Sequence, residues 1–402
     1  MLFEIAQKIN LRKHSSLFVL LVGAGCLYLL NVVLYFYLSS NEYAKYGLIS
    51  SYLAIVTVFS GFGFDQVLTR YAVQNEEGMS LPRSTIIPSF TLVVFSSLVF
   101  ALLFNMFFLR GSFFISFFIS VLSGIALYYF TVFRLVSFFV SAQMQKNLWK
   151  IFVPIVVYVY AVYFELDSTV ILQSILFLMF ITAVLGFFTY CSTNIQFFSG
   201  RAYDWKLLFG YFFAMIIMNF LTSSDRFIVE YKIGSDELAK YFFLQNIFLF
   251  PLTQLQNYFG FKDVTHFKRG VSSTFLAKKT ANNLIVSLIV SFMILIIFFF
   301  AAQYGILGEG VSFDYAMIFL LLGLGIIRVL YSSLSAAVSV VADYKAINLL
   351  NVYSVGVIIC GSLYLYLSSK LDLIDVVAVY ILYWSARALS YHLYLRRHLG
   401  EV

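Results

Sequence analysis

The sequence predicts an all-α polytopic membrane protein with twelve transmembrane helices in two parallel six-helix bundles around a central cavity. The first indication is composition, because 62% of the 402 residues are hydrophobic and 11% are charged, whereas a soluble domain is about one quarter charged. The second is that apolar stretches of about 20 residues, each long enough to cross a bilayer as a helix, recur along the chain. The third is an internal repeat that divides the chain into two halves.

The apolar stretches predict twelve spans joined by short loops. They are residues 16–38, 43–66, 84–108, 113–141, 149–164, 168–190, 206–231, 238–260, 280–303, 314–341, 345–367 and 372–395. Ahead of the first span, residues 1–14 combine Lys8, Arg12 and Lys13 with apolar residues at helical spacing. This pattern predicts an interfacial amphipathic segment rather than a cleaved signal peptide.

The basic residues predict the orientation of the spans. Most of the 26 lysine and arginine residues fall in loops on the side of the N-terminus, including the predicted linker over residues 261–279, and few fall on the opposite side. Basic loops are retained in the cytoplasm, so we expect both termini there. The net charge of +7 is then explained by contact with the lipid bilayer, without a nucleic-acid partner.

Short matches at nearly one offset indicate that the two halves are copies of one unit. The matching segments are SNEYAKY (40–46) with SDELAKY (235–241) and FGFDQV (62–67) with FGFKDV (259–264). Six spans per half is an even number, so both halves enter the membrane with the same orientation, as in transporters that rock two parallel bundles. We therefore expect an N-terminal bundle over 15–195 and a C-terminal bundle over 196–402, after the segment 1–14.

Three arginines within the predicted spans are candidates for binding an anionic substrate. A charge at the bilayer centre costs about 2.5–3.5 kcal/mol, so it should face a cavity or a partner. Arg328 is the deepest, at about 20 Å from either end of its span. Arg134 aligns with Arg328 in the repeat, and Arg387 has tyrosines and a serine on its flank. For these two, snorkelling to the inner headgroups is the alternative interpretation.

The charged residues near the span ends are candidates for a gate or for ion coupling. Asp225 and Arg226 are adjacent near the outer end of the seventh span, where we expect a gate contact or a site for a coupling cation. The structural alternative is a surface pair between Arg226 and Glu230, four residues further on. Asp65 lies at the inner end of the second span, and its alternative role is a structural clamp at a loop.

The sequence shows no pattern of catalytic or metal-binding residues. The four histidines are scattered, the three cysteines lack metal or redox spacing, and no glycine-rich phosphate loop follows a strand. We therefore expect no catalytic residues, no metal, no cofactor and no enzyme activity.

Several motifs resemble those of one family of membrane proteins. They are NEYAKYGL (41–48), GFGFDQVLTRY (61–71), SDRFIV (224–229) and ELAKY (237–241). Together with twelve predicted spans in 402 residues, they make the chain similar to polysaccharide flippases of the multidrug/oligosaccharidyl-lipid/polysaccharide exporter superfamily. Within that superfamily it resembles in particular the flippases of O-antigen and capsule repeat units.

The resemblance implies a MATE-like fold and a substrate. The substrate would be an oligosaccharide on undecaprenyl pyrophosphate, moved from the inner to the outer leaflet of the bacterial cytoplasmic membrane. It also implies alternating access coupled to a gradient of H⁺ or Na⁺, with the arginines holding the pyrophosphate and sugars. The polymerase and chain-length proteins of the same pathway are the implied protein partners.

Other functions stay open at this point. A cationic drug or ion antiporter of the same superfamily is disfavoured by the basic candidates and by Asn31 as the polar residue of the first span. An O-antigen polymerase or ligase would need a long outer loop with catalytic Arg or His, which the short predicted loops do not offer. A scaffold without transport would not need Arg328 in midspan.

Overall fold

The computed structural model describes residues 11–75, 78–82, 86–107, 111–136, 138–193, 195–198, 205–267, 270–305 and 314–399. Nearly all of these residues are helical, which confirms the all-α fold. The predicted amphipathic segment 1–14 lies mostly outside the described residues, and the first helix begins at Leu11.

The chain forms two compact units, Met1–Asn219 and Phe220–Val402, and each is described by itself. The helices that begin in the first unit are α1 (Leu11–Tyr37), α2 (Ser40–Phe59), α3 (Phe64–Tyr71), α4 (Ile86–Phe107), α5 (Phe113–Leu135), α6 (Phe139–Tyr163), α7 (Ser168–Cys191) and α8 (Trp205–Ser223). The second unit contains α9 (Asp225–Lys232), α10 (Ser235–Leu244), a π-helix (Gln245–Leu249), α11 (Phe250–Phe267), α12 (Ser273–Gln303), α13 (Tyr315–Val341), α14 (Tyr344–Leu367) and α15 (Leu373–His398).

Within the described ranges, eight helices are long and apolar enough to cross a membrane: α1, α4, α5, α7, α12, α13, α14 and α15. A ninth span results if α8 and α9, which meet at a bend of 51°, are counted together. The protein is therefore an α-helical membrane protein with several spans.

Three of the twelve predicted spans do not meet this test of length and composition. They are 43–66, 149–164 and 238–260, which overlap α2, α6 and the run from α10 to α11. These segments are helical but more polar, and α6 carries Lys146 and Lys150. The number twelve is therefore not confirmed and stays a prediction.

Side-chain caps define the start of many helices. The capping residues are Ser39 for α2, Asp167 for α7, Ser272 for α12, Asp314 for α13, Asp343 for α14 and Asp372 for α15. Their oxygens accept hydrogen bonds from N–H groups that have no partner within the helix. The cap at Ser272 corrects one expectation: most of the predicted linker 261–279 is helical, because α11 continues to Phe267 and α12 begins at Ser273.

The first unit contains a small sheet that the sequence analysis did not predict. Strand β1 (Val73–Asn75) pairs antiparallel with β2 (Gly78–Pro82), and β2 pairs parallel with β3 (Ile195–Phe198). Val73 lies opposite Ser80, and Met79 lies opposite Ile195. The sheet satisfies backbone N–H and C=O groups of two connecting segments that would otherwise need other partners.

Helix α13 forms the centre of the second unit. It is the most buried of the candidate spans, with 67% of its most apolar 18-residue stretch inside the protein, and it packs against α11, α12 and α15. Gly325 allows the close approach to α11, because a Cβ atom at this position would lie 2.4 Å from the side chain of Leu252. Replacing Gly325 by a larger residue would therefore push α11 away from α13.

Candidate functional site

The candidate residues are divided between the two units. Arg328, Arg387, Asp225 and Arg226 belong to the second unit, whereas Arg134 and Asp65 belong to the first.

Arg328 lies in the middle of α13 and is 5% exposed. Its Nε donates a hydrogen bond to Oε1 of Gln256 at 3.0 Å, and its guanidinium carbon lies 5.0 Å from the ring centre of Trp384. Within the described part of the chain, its two terminal Nη nitrogens have no acceptor and no carboxylate pairs with it. Four N–H groups of a buried guanidinium are therefore available to a ligand.

Arg387 on α15 is as deeply buried, at 3% exposure, but its hydrogen bonds are nearly complete. Nε donates to Tyr331 at 2.8 Å, Nη1 donates to Ser354 at 2.7 Å, and Nη2 donates to Tyr391 at 3.0 Å and to Asn351 at 3.4 Å. All four acceptors are neutral. Arg387 thus ties α15 to α13 and α14, and it keeps its positive charge without a carboxylate partner among the described residues.

Asp225 and Arg226 are joined through the amide of one glutamine. Gln245 donates from Nε2 to Oδ2 of Asp225 and accepts from Nε of Arg226 at 2.8 Å. Tyr241 donates a second hydrogen bond to Asp225 Oδ2 at 2.7 Å. The guanidinium of Arg226 also lies 4.5 Å from the ring centre of Phe242. Glu230, the partner expected for Arg226, instead accepts a hydrogen bond from Ser235 at 2.8 Å.

Two irregularities of the backbone create this arrangement. Helix α8 ends at Ser223, and the hydroxyl of Ser224 bonds to the carbonyl of Phe220 and to Tyr380. Such bonding to the carbonyl four residues earlier is known to bend helices, and α9 leaves at 51°. The π-helix begins at Gln245 itself, and single π turns commonly mark functional sites.

The charges of the second unit act on one another. Both Asp225 and Arg226 are within electrostatic range of Arg328. The structure thus brings Arg328, Asp225 and Arg226 into one electrostatic group in the interior of this unit. Arg387 is a separate group with its own tyrosine, serine and asparagine partners.

Arg134 and Asp65 occupy helix ends in the first unit. Arg134 is in the last turn of α5, partly exposed, with its guanidinium carbon 5.7 Å from the ring centre of Phe130. The predicted span 113–141 continues for seven residues beyond Arg134, but α5 ends at Leu135. Asp65 is in the first turn of α3, where a negative charge suits the helix dipole. Both residues exert electrostatic effects on Lys146.

The repeated motif adopts the same local structure in both units. Glu42 pairs with Lys45 at 2.6 Å, and the equivalent Glu237 pairs with Lys240 at 2.6 Å. The tyrosine that ends each motif donates a hydrogen bond to a polar residue of an earlier helix. Tyr46 reaches Oδ1 of Asn31 at 2.6 Å, and Tyr241 reaches Asp225 at 2.7 Å. The second unit therefore carries a carboxylate where the first carries a neutral amide.

A second buried carboxylate lies outside the set of predicted site residues. Asp263 on α11 is 1% exposed and accepts hydrogen bonds from Asn283 at 3.0 Å and from Ser333 at 2.8 Å. Its other oxygen lies 3.4 Å from Nζ of Lys279. Asp263 belongs to the repeated segment FGFKDV, which could have identified it. Both Asp263 and Lys279 fall in the predicted linker over residues 261–279, so the sequence does not indicate a buried pair there.

The site in the second unit is thus a set of buried charges with incomplete pairing among the described residues. Among the residues that the structure describes, no group of three His, Cys, Asp or Glu side chains could hold a metal ion. No protein-family model and no curated protein sequence matches this chain.

Proposed function

We propose that the protein is a transporter that flips an oligosaccharide linked to undecaprenyl pyrophosphate, an O-antigen or capsule repeat unit, from the inner to the outer leaflet of the bacterial cytoplasmic membrane. The observation that carries this proposal is Arg328, a buried guanidinium without a paired carboxylate and with four N–H groups free of protein acceptors among the described residues. A buried cation of this kind requires an anion to compensate for its lost hydration.

A pyrophosphate is the anion that fits this chemistry best. The planar guanidinium presents paired N–H donors at the spacing of two phosphate oxygens. Such bonds gain strength where water is excluded. Arg387 contributes a second positive charge to the same unit, with its side chain fixed by four hydrogen bonds. The contribution of Arg134 to substrate binding stays a prediction.

The proposed architecture is twelve spans in two parallel six-helix bundles, with both termini in the cytoplasm. The equivalent local structure of the two repeated motifs supports two related halves. The broken helix at Ser224 supports a transport function, because carriers often place their binding residues at interrupted helices. In this proposal the substrate passes by alternating access, and the polymerase and chain-length proteins of the pathway receive it.

Asp225 is the proposed site of coupling to a gradient of H⁺ or Na⁺. Its carboxylate is buried, and its Oδ1 atom has no hydrogen-bond partner among the described residues. Binding of a cation at this oxygen would change the electrostatic field at Arg328, on which Asp225 acts. The carboxylate could thereby transmit the gradient to the substrate site.

A cationic antiporter is the second candidate, and the two buried carboxylates favour it. Asp225 and Asp263 could each attract a cation, whereas Arg328 would repel one. The effect of neutralising Arg328 separates the two functions. Loss of this charge should abolish the transport of an anion and should leave the transport of a cation unchanged or faster.

The test is the variant Arg328→Gln, expressed in the native cell. Each charge-assisted hydrogen bond contributes about 1.5–3 kcal/mol, so losing even one predicts a fall of about 10- to 100-fold in surface polysaccharide. The lipid-linked repeat unit should accumulate on the cytoplasmic side. Protein in the membrane is measured by immunoblotting.

The matched control is Arg397→Gln, which removes an exposed arginine at the end of α15. This variant should make normal polysaccharide. Normal polysaccharide in Arg328→Gln at normal protein level would contradict the proposed function.

A further inference from the structure

The second unit contains a lateral groove of about 500 Å³ that the transport proposal does not use. Helices α12 and α15 form its walls, and Leu330 and Leu334 of α13 contribute to its lining. The space between the two walls exists because the residues that face it are small. They are Ala277 and Ala281 on α12 and Ala388 on α15. Its volume is in the range typical of sites for small molecules.

The length of the groove matches one leaflet of a bilayer. The lining residues of α12 run from Ser273 to Leu284, and those of α15 and its C-cap run from Ala388 to Leu399. At 1.5 Å per residue, both walls are about 16 Å long. The hydrocarbon of a single leaflet is about 15 Å thick, half of the bilayer core.

The chemistry of the groove changes along this length. The deeper part is apolar, with Leu284 and Leu389 among its residues. The end at the helix termini carries the side chains of Arg396 and His392. An apolar channel with a cation at its mouth complements a molecule that has a hydrocarbon chain and an anionic head.

The two basic side chains of the groove lie in a fixed order along its length. Along α15, Arg396 lies one turn closer to the helix end than His392. A phospholipid has the matching order, with the ester carbonyls below the phosphate.

We propose that this groove binds one anionic phospholipid, with the phosphate at Arg396 and one acyl chain along α12 and α15. The site does not depend on the proposed transport function. The exposed Lys278 and Arg397 at the same end add to the attraction of an anionic headgroup.

The test uses the full-length purified protein in detergent with phosphatidylglycerol that carries a photoreactive diazirine in its acyl chain. After illumination, mass spectrometry should locate the label in residues 276–284 and 388–395. Unlabelled phosphatidylglycerol should compete, whereas phosphatidylcholine and inorganic phosphate should not. Arg396→Gln should weaken labelling about fivefold, because one arginine near a membrane surface contributes about 1 kcal/mol to anionic lipid binding.

Ala281→Phe should also reduce labelling because it fills the groove. Its matched control is Ala302→Phe near the opposite end of α12, which should label normally. A second measurement is the increase in thermal midpoint on adding phosphatidylglycerol. Ala281→Phe should lose this increase and Arg396→Gln should show a smaller one, while both keep the midpoint of the lipid-free protein.

Three results would overturn the proposal. Equal labelling by phosphatidylcholine and phosphatidylglycerol would show that the charge has no role. Displacement by inorganic phosphate would indicate a site for the free anion. Displacement by undecaprenyl phosphate at lower concentration than phosphatidylglycerol would assign the groove to a polyprenyl lipid. None of these results depends on Arg328, so the transport proposal would be unaffected.

Discussion

At the scale of single residues, neutral amides hold the buried charges of the second unit. Gln245 lies between Asp225 and Arg226, and Gln256 holds Arg328. An amide can donate to a carboxylate and accept from a guanidinium without adding a charge of its own. The two charges of the Asp225–Arg226 pair are therefore kept in place even though adjacent helical residues point in different directions.

Replacing Gln245 by methionine should destabilise the protein. The side chain keeps its approximate volume, but Asp225 and Arg226 each lose a hydrogen bond in the interior. The expected loss is about 3–6 kcal/mol in the free energy of unfolding, from two bonds to charged groups at about 1.5–3 kcal/mol each. Thermal unfolding of the purified protein measures this loss of stability. The control is Gln303→Met, which changes the exposed last residue of α12. Equal midpoints of the two variants would mean that the amide has no structural role.

Asp263 and Lys279 should behave as a coupled pair. Within the described chain, Asp263 is the only carboxylate that forms an ion pair with Lys279, at 3.4 Å. Asp263→Asn should therefore cost about 3–5 kcal/mol, because breaking a buried pair leaves one charge uncompensated. Adding Lys279→Met should recover part of the loss. A double-mutant cycle on thermal stability measures the coupling, and strictly additive effects would contradict it.

At the scale of elements, one side chain caps a helix to which it does not belong. Oε2 of Glu42, in the first turn of α2, accepts hydrogen bonds from the backbone N–H of Ser168 at 3.0 Å and from its hydroxyl at 2.6 Å. Ser168 is the first residue of α7, whose N–H has no partner within the helix. Glu42 therefore links α2 to the start of α7 by hydrogen bonds. Asp167 caps the same end of α7.

The Glu42 contact should make stability depend on pH. Burial by itself would raise the pKa of Glu42, but hydrogen bonds from Lys45 and Ser168 outweigh it and lower the pKa to about 2. A carboxyl with a lowered pKa stabilises the folded state above its unfolded pKa and loses this effect as pH falls towards the folded value. Glu42→Gln should therefore lower the thermal midpoint at pH 7, and the difference from wild type should shrink between about pH 4.5 and pH 2.

Glu237→Gln is the matched control for this pH dependence. Glu237 forms the equivalent pair with Lys240 in the second unit, but both side chains are more exposed, at 38% and 59%. Exposed pairs contribute about 0–1 kcal/mol, so this variant should resemble wild type at every pH. A constant difference between Glu42→Gln and wild type from pH 7 to pH 3 would contradict the assignment.

At the scale of the whole molecule, the sequence predicts helices far better than it predicts contacts. The length of each apolar stretch predicts the bounds of spans such as α13 and α15 to within a few residues, because the thickness of the bilayer sets the length of a spanning helix. The small sheet and the π-helix could not be predicted, because both depend on partners that folding supplies. The depth of Arg328 follows from its position in the sequence. The four hydrogen bonds that Arg387 donates cannot be predicted in this way, because their acceptors are four side chains from three helices.

The number of spans is the property that decides the orientation of the two termini. Nine crossings would place them on opposite sides, whereas twelve require that α2, α6 and the run from α10 to α11 all cross the membrane as well, with both termini in the cytoplasm. The test places single cysteines at the ends of α6 and of the run from α10 to α11, in a protein whose native cysteines have been replaced. Intact cells are then treated with a maleimide that cannot cross the membrane. Glu165→Cys and Asp236→Cys should react from outside, whereas Phe138→Cys and Gly270→Cys should react only after permeabilisation. Equal reactivity at both ends of α6 would mean that its polar residues keep it from crossing, and the two parallel six-helix bundles would then have to be abandoned.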